Sequence, residues 1–227
     1  GVASMNVTLG VPRLKEIINA SKAISTPIIE ARLIQDDSMT SARIVKAQIE
    51  KTTLGEIAQY IKEVHKPHMS YISVKLDRNA IQNLHLNVDS ETVRNAILSS
   101  TGTVRASVIR GLESKQIQLV GTQHNKLRIF PPELKKESKM GISNEQRLYF
   151  QIQALKTALP GIIVRGIHSI SRAIINEEQN IEGKKTYYLL LEGYGLAEVM
   201  GSSGIDGTSV KSNHIIDMQQ VLGIEAA

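Results

Sequence analysis

Tyr71-Ile72-Ser73-Val74-Lys75-Leu76 alternates apolar and polar side chains without a break. With a period of two, Ile72, Val74 and Leu76 share one face while Ser73 and Lys75 share the other, the pattern of a half-buried strand. Upstream, residues 53–64 carry two signals. Thr53 and Glu56 match a capping box and Ile57, Ile61 and Val64 have helical spacing, yet the β-branched content ahead of Pro67 also suits a strand. Downstream, Asp77 is placed to cap a short helix through Ala80, Ile81 and Leu84, and Ser90 to cap another through Val93, Ala96 and Ile97. Strand-like runs at 116–120 and 126–130 stop at Pro131-Pro132. Residues 131–144, rich in Lys, Glu and Ser, read as a flexible insertion or an internal boundary. Ser143 and Gln146 then form a capping box for a helix carrying Leu148, Ile152, Leu155 and Leu159, closed by Pro160-Gly161.

The flanks follow the same grammar. Residues 1–10 are small and polar, a mobile loop, and Pro12 opens a helix over 12–21 on Leu14, Ile17 and Ile18. Ile28 to Ile34 alternates as a strand, and 40–51 is a helix on Ala42, Val45 and Ile49. Strands are expected at 170–176 and 186–191 around a polar loop, with a short helical turn closing at Val199-Met200. Asn213 is placed to begin a last helix with Ile216, Gln220 and Ile224 in line. The fold class is therefore mixed α+β with small antiparallel sheets.

The 227 residues are 41% hydrophobic and 22% charged, enough to bury a core and too apolar for a disordered chain. No apolar run approaches the ~20 residues of a membrane helix. There is no cysteine, which removes disulfides, thiolate metal sites and thiol nucleophiles. Net charge is +5, with the excess in residues 61–140, around Arg94, Arg105, Arg110, Lys115, Lys126, Arg128, Lys135, Lys136 and Lys139. Such a stretch attracts phosphate backbones, or is simply a solvated surface. Aromatic residues are 4%, too few for a base-stacking platform. His65 and His68 lack a third ligand in sequence, and Asp36-Asp37 suits a turn. Ser202-Ser203-Gly204 has no partnering histidine motif. Gly193-Tyr194-Gly195 begins a dinucleotide fingerprint that fails at Glu198. No catalytic residue and no metal ligand set emerges. Gly1 is not an initiator Met, and Val221–Ala227 stop within a helical pattern, so both ends read as cut from a longer chain.

Longer motifs add a family. Gly1 to Ile29, GVASMNVTLGVPRLKEIINASKAISTPII, resembles the distal half of the trigger loop in the largest subunit of multisubunit RNA polymerases. Ser212 to Ala227, SNHIIDMQQVLGIEAA, resembles the helix near the end of that family's cleft region. Ile49-Glu50-Lys51-Thr52-Thr53-Leu54, Val164-Arg165-Gly166-Ile167 and Leu191-Glu192-Gly193 fall between them in the family's order. The resemblance covers essentially the whole chain and is weakest from about 99 to 145. Ala3-Ser4-Met5-Asn6, Asn19-Ala20-Ser21-Lys22 and Ser25-Thr26-Pro27 look most like eukaryotic RNA polymerase III, with an archaeal or RNA polymerase II origin as the lesser option.

The resemblance implies a division of labour: 1–22 as the distal trigger loop and its second helix, 23–45 as cleft, 46–160 as a jaw-like region with a basic insertion near 99–145, and 161–227 as cleft. It implies a loop tip and hinge at Gly1, Val2, Ala3, Ser4, Gly10, Pro12 and Arg13, and DNA-facing lysines at Lys135, Lys136 and Lys139. The family's catalytic aspartates and zinc-binding cysteines lie outside these residues, so Mg2+ and Zn2+ are implied for the full subunit and no cofactor for this piece. Implied partners are other polymerase subunits, the downstream DNA duplex and a nucleoside triphosphate met through loop closure, with no membrane and a nuclear location. The family also favours strand over helix for 53–64, and Tyr194-Gly195 replaces its usual polar pair. Apart from the resemblance, a free-standing basic nucleic-acid-binding domain and a purely structural interaction domain fit the same composition.

Overall fold

Each of the chain's two compact units is built on one four-stranded antiparallel sheet. The computed structural model describes residues 5–67, 69–100, 107–121, 123, 125–133, 143–179 and 183–225. The first unit comprises 1–51 with 165–227, and the second is 52–164.

In the first unit, β1 (Ile28–Arg32) lies between β10 (Lys211–Ser212) and β9 (Lys185–Gly193), and β8 (Ile170–Gln179) closes the far edge. Ile29 pairs with Leu191 and Ala31 with Leu189, so alternate residues of both strands face one core. There they meet Ala42, Val45 and Ile49 of α2 (Met39–Ile49), the i, i+3, i+7 stripe of an amphipathic helix. Ser38 caps α2 by accepting from the Ser41 amide. The two long strands reach further than the sequence pattern predicts: β8 continues to Gln179 and β9 begins at Lys185. Cross-strand pairing carries them, Glu178 lying opposite Thr186 and Gln179 opposite Lys185, although the residues there are polar. β1 is shorter than expected. It ends at Arg32, and Leu33 makes only an isolated bridge to Ile205.

In the second unit the sheet order is β3 (Ala58–Lys66), β4 (Met69–Leu76), β6 (Lys126–Ile129) and β5 (Ile117–Val120). The register sets Glu63, Ile72, Ile129 and Ile117 in one row and Ile61, Val74, Leu127 and Leu119 in the next. These rows form the inner face, whose Ile72, Val74, Ile117, Leu127 and Ile129 join Val93 and Ile97 of α5 (Ser90–Ser99) and Ile152 and Leu155 of α7 (Asn144–Ala158) in one core, while Leu119 at the edge stays exposed. Glu63 sits at the margin of that face. Its carboxylate accepts from Lys156 Nζ at 2.6 Å and Gln153 Nε2 at 3.0 Å on α7, and the lysine above all holds its pKa below the usual carboxylate range.

Both signals in 53–64 are real, each for part of the segment. Leu54–Ile57 is one helical turn, α3, which buries Leu54 and Ile57 completely, and the strand begins only at Ala58. The strand expectation fails for Leu54–Ile57 because those two side chains, three apart, point the same way into the core, and Thr53 makes no capping bond, its hydroxyl donating to the Glu56 carboxylate instead. Two caps lie one residue from where the sequence places them. Asp89, not Ser90, caps α5 by accepting from the Thr92 amide, while Ser90 is buried within the helix. His214, not Asn213, caps α9 (Ile215–Leu222), which ends at Gly223, before Ile224. The Ser143–Gln146 capping box is present in both directions, and Asp77 caps α4 (Arg78–Asn83).

The chain enters the second unit through β2 (Thr52–Thr53) and leaves through β7 (Ile163–Arg165), and these two strands pair. The Leu54 amide also donates to the Ile162 carbonyl at 2.8 Å. Just outside, in the first unit, Gly166 (φ +96°) rests against the Glu50 carbonyl, and Ile167 N–H donates to Ile49 O at 2.9 Å.

Candidate functional site

The helix that follows the N-terminal loop, α1 (Val11–Ile18), has no buried residue. Val11 is 64% exposed, Leu14 56% and Ile18 80%, so packing on its apolar stripe does not hold it in place. It ends at Ile18, short of the expected residue 21, because Ala20 turns into the left-handed region at φ 42°. Gly10 supplies the N-cap at φ 70° and ψ −147°, a conformation open to glycine, and Pro12 follows in the first turn, where its missing N–H is harmless.

What positions α1 is a set of polar links at its base. Arg13 pairs with Glu16 at 3.2 Å and donates to the Asn213 carbonyl. The other oxygen of Glu16 accepts from the Ser25 amide at 3.0 Å, and this bond, aided by Arg13, holds the carboxyl below the usual carboxylate range. Thr8 N–H donates to Thr26 Oγ1 at 2.9 Å, tying the loop before the helix to the loop after it.

That second loop, 19–27, is in turn held by residues far away in sequence. Asn213 bridges it, accepting from Ile28 N–H at 2.8 Å and donating to Thr26 O at 2.8 Å. The Tyr194 hydroxyl accepts from Ile24 N–H at 3.1 Å and faces Ile24 O at 3.3 Å. His214, 3% exposed, lies edge-on to the Tyr194 ring with centroids 5.0 Å apart. Its Nε2 lies 3.3 Å from Ser21 O, and its Nδ1 faces both the Asp217 amide at 3.3 Å and the Asp217 carboxylate at 3.1 Å. Ser169 Oγ donates to Tyr194 O at 2.7 Å, and Gly195 turns the chain at φ 96° into α8 (Leu196–Met200). A hollow of about 350 Å3 remains between Met5 and Val7 on one side and Ile28, Glu30, Leu190 and Lys211 on the other.

Of the residues singled out from sequence, Gly10, Pro12 and Arg13 fall together in this arrangement. Gly1, Val2, Ala3, Ser4, Lys135, Lys136 and Lys139 lie outside the described residues. Sequence reasoning missed Glu16, Thr26, Tyr194, Asn213 and His214. The one hint was Ser212-Asn213-His214, three polar residues ahead of an apolar helix, which a single N-cap does not need. The minor motifs resolve into structure. His65 bonds Ser70 and Glu63 on the β3–β4 hairpin, and His68 lies outside the described residues. Ser202 Oγ donates to Glu198 O at 2.8 Å, closing α8. Among the described residues no three His, Asp or Glu side chains converge as metal ligands. The arrangement is a helix with an exposed apolar stripe, preceded by a left-handed glycine and held at its base by polar links.

No described helix is long and apolar enough to cross a membrane. The family described as RNA polymerase Rpb1, domain 5, matches residues 1–227. Over the full chain, the sequence is 45% identical to DNA-directed RNA polymerase III subunit RPC1 of Debaryomyces hansenii and 46% identical to that of Dictyostelium discoideum. It is 44% identical to the subunit of the same name in Homo sapiens. The chain spans 14–16% of the length of these relatives. Matched over its full length by one family model and by relatives of one name, the chain belongs to the RNA polymerase Rpb1 domain 5 family.

Proposed function

We propose that this chain works as a part of the largest subunit of a DNA-directed RNA polymerase of the III class, a nucleotidyltransferase of the nucleus that makes small non-coding RNAs. The observation that carries the reading is full-length identity of 44–46% to subunits of that name. In this reading residues 1–22 are the distal trigger loop, 23–45 and 161–227 belong to the cleft, and 46–160 form the jaw beside downstream DNA. The chain's partners are then the other polymerase subunits, the downstream duplex and, through loop closure, the nucleoside triphosphate. Mg2+ and Zn2+ serve the full subunit, and no ligand set for either is found among the described residues. The isolated chain is inert, and its contribution is to position and move.

The geometry at α1 supports the mechanical part. A loop that closes over a substrate needs a fixed base and a free end. Here the base is pinned through Asn213 and Tyr194, while α1 buries none of its residues. The test of membership is immunoprecipitation of the native protein followed by mass spectrometry. Recovery within a much longer polypeptide accompanied by a dozen or so polymerase subunits is expected, and a lone polypeptide of this size would refute the reading.

The hinge has its own test. At Gly10 a Cβ meets nothing within 4 Å, so Gly10→Val is opposed only by the backbone conformation at φ 70°. Strain of that kind is worth about 1–3 kcal/mol, so single-nucleotide addition by reconstituted polymerase carrying the variant slows roughly tenfold. An unaltered rate would remove Gly10 from the hinge.

A further inference from the structure

The second unit's sheet has an outer face whose chemistry the inner core does not explain. Register places Tyr60, Lys75, Lys126 and Val120 in one cross-strand row and Lys62, Ser73, Arg128 and Gln118 in the next. Lys75 and Lys126 are therefore directly opposed on neighbouring antiparallel strands, a pairing that destabilises a sheet. Lys62 rests on the Tyr60 ring, 4.6 Å from its centroid, and Arg128 on the Tyr71 ring at 5.4 Å. Lys75 and Lys126 have no such ring, and among the described residues none of the four cations meets a carboxylate within ion-pair distance. Asp77, close to Lys75 in the chain, is committed to capping α4.

We propose that this outer face, through Lys62, Lys75, Lys126 and Arg128, binds the phosphate backbone of duplex nucleic acid. The inference rests on the reading of this unit as a jaw beside DNA and assigns the role to residues other than Lys135, Lys136 and Lys139. A like-charge pair in a well-formed sheet, uncompensated among the described residues, is a local conflict of the kind that marks a functional surface, and a bound polyanion removes it. Two features select phosphates over other anionic partners. Tyr71 is only 6% exposed beneath Arg128 and Tyr60 lies under Lys62, so no ring is offered for base stacking. The two central rows also hold no exposed large apolar side chain to serve as the anchor a protein partner needs.

The test uses the full chain and a short labelled DNA duplex. Four phosphates neutralised give an affinity that falls roughly hundredfold between about 50 and 200 mM salt. Lys126→Glu separates binding from folding, because it sets a carboxylate opposite Lys75. The variant is expected to bind at least tenfold more weakly with a shallower salt slope, yet to melt about 2 °C higher. Lys126→Ala, which adds no charge, should lower the slope by about one. Wild-type affinity in both variants, with loss on reversing Lys135, Lys136 and Lys139, overturns the sheet face while leaving DNA binding by the jaw intact. Tighter binding of a poly-glutamate peptide than of duplex overturns phosphate as the ligand. Absence of duplex binding by the wild-type chain at low salt overturns the proposal outright, and membership of the polymerase still stands or falls on the immunoprecipitation.

Discussion

Gly166→Ala unfolds the chain at a markedly lower urea concentration, with a loss of roughly 3–5 kcal/mol. A Cβ at this position would sit 2.2 Å from the Glu50 carbonyl oxygen, 2.6 Å from its carbon and 2.8 Å from Lys51 Cα. All three atoms are backbone, so no rotamer change relieves the overlap, and the left-handed φ of +96° adds strain of its own. Gly183→Ala is the matched control. It has φ +75° and nothing within 4 Å, so only the backbone term of about 1 kcal/mol remains. If the two variants unfold at the same denaturant concentration, the close approach at Gly166 does not contribute to stability.

Asn213→Ala is expected to cost roughly 2–3 kcal/mol and to loosen the base of α1. The substitution strands two partners at once, the Ile28 amide and the Thr26 carbonyl, each now 2.8 Å from the side chain, and a polar group left without a partner costs about 1–3 kcal/mol. Hydrogen exchange at the Ile24 and Ile28 amides should quicken well beyond the change in global stability. Asn213→Asp keeps an oxygen for Ile28 N–H but turns another towards Thr26 O, so it should fall between wild type and alanine. Exchange that follows global unfolding alone in all three proteins would show that Asn213 is an ordinary core bond and not a local pin.

These two positions also mark where sequence reading succeeds and where it stops. Alternation over 71–76 and 28–32, and the Ser143–Gln146 box, are local signals in which neighbouring residues report a shared environment, and the structure contains all of them. The caps at Asp89 and His214 were missed by one residue. Both runs offer adjacent polar side chains, and which one meets a free amide depends on where the helical backbone begins. The pin at Asn213 was out of reach for a different reason. Its partners lie 185 and 187 residues upstream, and nothing in the spacing joins them. The same holds for the basic face. Lys126 and Arg128 stand out as part of a cationic stretch, but their opposition to Lys75 and Ser73 exists only in the strand register. The resemblance at the two ends marked Gly10, Pro12 and Arg13, while the residues that secure them surfaced only with the fold.

The pairing of β2 with β7 has a consequence for how the chain reaches its native state. The first unit is written in two instalments, and joining them across an unstructured 52–164 would cost roughly 4 kcal/mol in loop closure alone. A folded insert whose two ends lie side by side removes that penalty, because it presents residue 51 and residue 165 as near neighbours. The inserted unit is thus a fastener for its host. A short turn grafted in its place is the natural way to ask whether the host can stand alone.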